Sequence, residues 1–122
     1  MLQTSKRILI IDDDVNTLKT MKNILEKEKY CVSVSTNGAE ALTFLSKEGY
    51  EPDLVLVDIM MPVLSGYDVL RLLKDKLDKH VKIVYESIVP KEEVDLRGVD
   101  GFIQKPFGIK EFVNQVKKFV GK

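Results

Sequence analysis

The sequence predicts an α/β fold, a five-stranded parallel sheet with helices on both faces, and three observations predict it. Two runs, Ile8-Leu9-Ile10-Ile11 and Leu54-Val55-Leu56-Val57, are continuously apolar and rich in β-branched residues, as strands covered on both faces require. Short runs of this kind alternate with longer stretches of helical period, and such alternation builds parallel sheets with right-handed crossovers. Polar residues stand directly after several strands, at the edge where open α/β sheets carry their chemistry.

The first strand runs into Asp12-Asp13-Asp14. Asp14 is suited to cap the next helix, whose inner face is Val15, Leu18, Met21 and Leu25. Cys31 to Ser35 is a weaker strand, with Cys31 expected in the core at its start. Gly38 to Lys47 reads as a second helix burying Ala41, Leu42 and Leu45. The third strand ends at Asp58, and the third helix presents Val69, Leu72, Leu73 and Leu77. Lys82 to Tyr85 and Gly101 to Ile103 are the fourth and fifth strands. Ile109, Phe112, Val113, Val116, Phe119 and Val120 mark a final helix. Only Val89 to Asp100 joins the fourth strand to the fifth, close to the minimum of about 10–12 residues for a parallel crossover. One or two helical turns starting at Pro90 and ending near Gly98 are expected there.

A chain of 122 residues has room for one domain, here 1–122, with no output domain expected. With 44% hydrophobic and 31% charged residues it is not a disordered polymer. Nineteen basic against nineteen acidic residues leave no net charge, which removes the electrostatic case for nucleic-acid or anionic-membrane binding. Cys31 is the only cysteine, so no internal disulfide forms. The apolar runs are strand-length, too short to span a bilayer, and Met1 to Arg7 does not read as a signal peptide. A cytoplasmic protein is expected. His80, the only histidine, lies in a polar stretch and is expected to be exposed, with no metal role.

Four strand ends deliver reactive groups: Asp12-Asp13 after the first, Asp58 at the third, Ser87 at the fourth and Lys105 after the fifth. If the first and third strands are neighbours, Asp12, Asp13 and Asp58 converge. Two carboxylates 4 Å apart repel by about 4 kcal/mol at an effective dielectric of 20, so such a group takes up protons or holds a cation. Hard oxygen donors in an open site suit Mg²⁺. Lys105 and the Ser87 hydroxyl would meet anionic oxygens, and the set as a whole suits phosphoryl transfer by positioning and charge neutralisation, with a carboxylate as nucleophile.

The run Asp58-Ile59-Met60-Met61-Pro62-Val63-Leu64-Ser65-Gly66-Tyr67, the strand ending in Asp12-Asp13, and Asp100-Gly101-Phe102-Ile103-Gln104-Lys105-Pro106-Phe107 resemble the receiver domain of two-component response regulators, a single-domain chemotaxis-regulator-like chain. The resemblance covers essentially the whole chain. It implies a doubly wound, flavodoxin-like sheet of order 2-1-3-4-5, here with a shortened fourth helix. It further implies that Asp58 accepts a phosphoryl group from a sensor histidine kinase or phosphotransfer protein. Asp12, Asp13, Asp58 and the backbone carbonyl of Met60 would hold Mg²⁺, and Lys105, before a cis Pro106, would pair with the phosphoryl group. Ser87 would supply the switch hydroxyl and Phe102 the aromatic ring that turns inward, altering a surface that controls a downstream protein. Such a chain catalyses only its own phosphoryl transfer and dephosphorylation and is otherwise not an enzyme.

The chain departs from the family pattern at Glu86, at Ile88, where a small residue is usual, and in the short link. An alignment shifted by one residue puts Glu86, not Ser87, at the hydroxyl position. These departures motivate a second reading, a receiver-like module that binds partners independently of phosphorylation. A third reading takes Ile8 to Asp14 as the start of a haloacid-dehalogenase-type phosphatase, with Asp12 as nucleophile and Asp14 as general acid.

Overall fold

The computed structural model describes residues 5–47 and 49–121. Met1 to Thr4, the start of the segment that does not read as a signal peptide, lie outside the described residues. In chain order the elements are β1 (Arg7–Ile11), α1 (Val15–Lys27), β2 (Cys31–Ser35), α2 (Gly38–Leu45), β3 (Leu54–Asp58), α3 (Gly66–Lys74), β4 (Lys82–Ser87), a 3-10 turn (Lys91–Glu93), β5 (Gly101–Gln104) and α4 (Ile109–Val120). All strand pairs are parallel and the order is β2-β1-β3-β4-β5.

The continuous apolar runs sit where both faces are covered. Even-numbered strand residues Ile8, Ile10, Leu54, Leu56 and Val84 pack with Leu18, Met21 and Leu25 of α1 and Phe112 and Val116 of α4. Odd-numbered Leu9, Ile11, Val55, Val57, Ile83 and Tyr85 form the other core, against Ala41 of α2 and Val69 and Leu73 of α3. β1 and β3 therefore bury every side chain from Ile8 to Ile11 and from Leu54 to Val57, and each such side chain contributes about 1.5–3 kcal/mol.

Helix starts follow local chemistry. Asp14 caps α1 by accepting from the Asn16 N–H, and Asn37 caps α2 through the Glu40 N–H. Ser65 and Asp68 form a reciprocal capping box at α3. Several expectations shift at element edges. Val15, Leu72 and Ile109 are exposed rather than inward, and Leu42 and Leu45 are only partly covered. Cys31 is exposed, because β2 is an edge strand and its first residue stands outside the helix-covered area. The link after β4 forms a single 3-10 turn, then runs irregularly to β5, with Gly98 at φ 85°. Val94, Leu96 and Val99 of this link pack onto the α2/α3 side, so three apolar side chains cover the sheet where no helix does.

Candidate functional site

Because every strand is parallel, β1, β3, β4 and β5 all end at one edge, and the residues there meet. Side chains alternate along a strand, so Asp12, Asp58 and Glu86 fall on the face that carries Ile10, Leu56 and Val84. Asp58 and Glu86 are direct cross-strand neighbours in the β3–β4 register. Lys105, just beyond β5, reaches into this group. Its Nζ donates to Asp12 Oδ2 at 3.0 Å and lies 3.7 Å from Glu86 Oε1 and 3.9 Å from Asp58 Oδ2. The Lys105–Pro106 peptide is cis, as the family pattern implied.

The carboxylates are held by backbone groups as well as by charge. Asp12 Oδ1 accepts the Asp14 N–H at 2.9 Å, and its own N–H donates to the Ser35 carbonyl of β2. Asp58 Oδ1 accepts the Met60 N–H at 3.1 Å. The loop after β3 is drawn tight by Gly66, whose N–H donates to the Ile59 carbonyl. A Cβ on Gly66 would lie 2.6 Å from the Asp58 carbonyl oxygen and 2.7 Å from Ile59 Cα, a contact no side chain tolerates. This glycine lets the start of α3 press against the acidic loop, a structural role that sequence reasoning passed over although Gly66 lies within the run that carried the resemblance. Val63, in the same loop, is 98% exposed and sits at φ 69°, a region that β-branched residues rarely enter.

Asp12 and Asp58 are buried while Asp13 is open to solvent, and one oxygen of each lies within 4.8 Å of the others. Burial pushes the Asp58 carboxyl up to about 6; the Lys105 ammonium opposes that rise, and the Asp12 carboxylate adds to it. Burial would lower the Lys105 ammonium, but the Glu86, Asp12 and Asp58 carboxylates outweigh it and the net direction is upward. Burial also raises the Glu86 carboxyl well above its usual range, reinforced by its contact with the Asp12 carboxyl. This is a set of hard oxygen donors carrying more negative charge than one lysine offsets. Its open side at Asp13 adjoins a cleft of about 430 Å³ between the start of α2 and the loop from Met61 to Leu64. The donor set fits Mg²⁺, with Asp12, Asp13 and Asp58 as the residues that would hold it. Met60 lies beside them through its N–H, and its side chain is exposed.

Two sequence expectations change. Ser87 falls on the opposite face by alternation, next to Gln104 in register, and its Oγ accepts the Val89 N–H at 3.1 Å. The strand position facing Asp58 is filled by Glu86, as in the alignment shifted by one residue. Ile88, the large residue where a small one is usual, is 68% exposed. Phe102 pairs with Tyr85 and is already buried in the α2/α3 core, on the side of the sheet away from Asp58. For the phosphatase reading, Asp14 is exposed and fully used as a helix cap. A hydrogen bond from Thr17 holds its carboxyl below the usual range, the reverse of what a general acid needs. His80 is exposed as expected, with its Nε2 3.4 Å from Glu51.

The family model for the response regulator receiver domain matches residues 8–117. The heme response regulator HssR of Staphylococcus saprophyticus is 32% identical over 111 residues, a match that covers 89% of this chain and 49% of HssR. The chain thus spans about half the length of that relative. The polar-differentiation response regulator DivK of Brucella anthropi is 29% identical over 121 residues, covering 95% of this chain and 97% of DivK. The structure of the response regulator TrrA from Thermotoga maritima, in complex with Mg²⁺-BeF, is similar with a TM-score of 0.80 and 33% identity, covering 93% of this chain and 98% of that one. The strand order, the acidic pocket at the sheet edge and a match running from residue 8 to residue 117 agree, and the chain belongs to the response regulator receiver domains.

Proposed function

We propose that this chain is a phosphorylation switch in which Asp58 accepts one phosphoryl group from the phosphohistidine of a sensor kinase or phosphotransfer protein. The observation that carries this reading is the placement of a buried Asp58 beside Lys105 and within one oxygen cluster with Asp12 and Asp13. An Asp58 oxygen attacks phosphorus; the O–P bond forms as the donor's P–N bond breaks, and the electron pair leaves with the donor imidazole. Lys105, already balanced among three carboxylates, holds charge next to the oxygens that gain it. Asp12, Asp13 and Asp58 would hold Mg²⁺, which supplies charge neutralisation on the transferring group. The Met60 N–H keeps the acceptor oriented. The chain turns over no external substrate in this reading, acts in the cytoplasm, and controls a downstream protein through its surface rather than through nucleic acid or a membrane.

Incubation with Mg²⁺ and acetyl phosphate should add a single phosphoryl mass, stable in acid and labile in alkali. No addition to the wild type, or an undiminished addition to Asp58→Asn, rejects the reading. One observation favours a second reading, a module that binds partners whether or not it is phosphorylated: Glu86 stands opposite Asp58, where the resemblance implies a hydroxyl that donates to a phosphoryl oxygen. Equal partner capture with and without Mg²⁺ and beryllofluoride would select it.

A further inference from the structure

Glu86 is the one member of the pocket that the proposed reaction does not use. Its side chain is fully buried, and neither carboxyl oxygen has a hydrogen-bond partner among the described residues. Buried polar groups are almost always hydrogen-bonded, so a buried carboxyl held only by its contact with the Asp12 carboxyl and its ion pair with Lys105 calls for an explanation. Its position supplies one. Glu86 is directly opposite Asp58 on the neighbouring strand, and its Oε1 is as close to Lys105 Nζ, at 3.7 Å, as the Asp58 oxygen is, at 3.9 Å. An ammonium has three donors. One is committed to Asp12 at 3.0 Å, and the remainder face Glu86 and Asp58. A phosphoryl group on Asp58 brings three oxygens into this same space and needs the same lysine.

The geometry points to Glu86 as a plug: its side chain fills the volume beside Lys105 that the phosphoryl oxygens must enter, so the phosphorylated state forms only when Glu86 is displaced. Glu86 is in this sense a positioning residue that sets the affinity of the pocket for a phosphoryl group. This inference rests on the assignment of Asp58 as acceptor. Its basis is volume and placement. A glutamate side chain reaches two carbon–carbon bonds further than a serine or threonine hydroxyl, and it is anchored at the end of a strand whose neighbours on both sides are fixed by the sheet. β4 ends at Ser87, whose carbonyl accepts the Lys105 N–H, so the strand end stays paired with β5 while the Glu86 side chain is the part that is displaced.

The test is binding of beryllofluoride with Mg²⁺ to the full chain, followed by fluorine NMR and calorimetry, for wild type, Glu86→Thr, Glu86→Gln and Asp58→Asn. If the plug holds the pocket closed about nine-tenths of the time, Glu86→Thr binds about tenfold more tightly than wild type. Glu86→Gln keeps the volume and stays within about threefold of wild type. Equal affinity of wild type and Glu86→Thr overturns the plug while leaving Asp58 as acceptor. Tightening by Glu86→Gln as large as that by Glu86→Thr also overturns it, since charge rather than volume would then be responsible. Failure of every variant to bind, or undiminished binding by Asp58→Asn, overturns the acceptor assignment and the plug with it.

Discussion

Asp58→Asn should make the metal-free protein more stable at neutral pH, and the size of the gain follows from the pocket. Folding moves the Asp58 carboxyl from 3.8 to about 6, with burial as the main cause. A carboxyl raised on folding binds more protons in the native state than in the unfolded chain between these two values. Stability therefore falls as pH rises from about 4 through about 6, and the full penalty is present above. A shift of about 2 units at 1.36 kcal/mol each gives about 3 kcal/mol at pH 7. By the same relation the penalty is about 1.5 kcal/mol at pH 5 and about 0.5 kcal/mol at pH 4. Asparagine keeps the oxygen that accepts the Met60 N–H and removes the charge, so the variant should exceed wild type by about these amounts at each pH. Urea unfolding followed by circular dichroism, with a chelator present, measures the difference. Mg²⁺ at 100 times its dissociation constant would return about 2.7 kcal/mol to wild type and less to the variant, which has lost a ligand. A variant no more stable than wild type at pH 7, or a gap that widens toward pH 4, refutes the reasoning.

Val63→Asn should raise stability by about 1 kcal/mol, because asparagine tolerates the positive φ that valine is forced to hold at an exposed site; an unchanged urea midpoint would contradict this. Gly66→Ala drives a methyl into the Asp58 carbonyl, so it should cost about 1–3 kcal/mol and slow phosphorylation by acetyl phosphate together, both measurable on one preparation. Asp14→Ala removes the α1 cap and should cost about 1 kcal/mol while phosphorylation proceeds at the wild-type rate. A selective loss of phosphorylation there would return Asp14 to the chemistry.

How much of this was legible in the sequence depended on whether a feature was local. The apolar runs of β1 and β3 and the helical stripe of Phe112, Val113 and Val116 were readable because burial on both faces, or on one helix face, leaves its own period. Asp12, Asp13, Asp58 and Lys105 were readable because each stands next to a strand end, and parallel strands place their ends together. Glu86 and Ser87 were not separable in this way. They are adjacent, and moving one residue along a strand reverses the face, so the choice between them rests on the β3–β4 register. The link between β4 and β5 was short enough to exclude a full helix, but its path depends on where Val94, Leu96 and Val99 find cover. Cys31 looked like core because a strand start resembles a strand interior; its exposure follows from β2 being at the sheet edge.

The amino-acid order by itself determined the fold class and the kind of pocket, since periodicity and strand-end residues are properties of neighbours along the chain. Whether Glu86 or Ser87 faces Asp58 was decided by tertiary structure, because pairing register is set by two strands packed in one core and leaves no mark on either strand read separately.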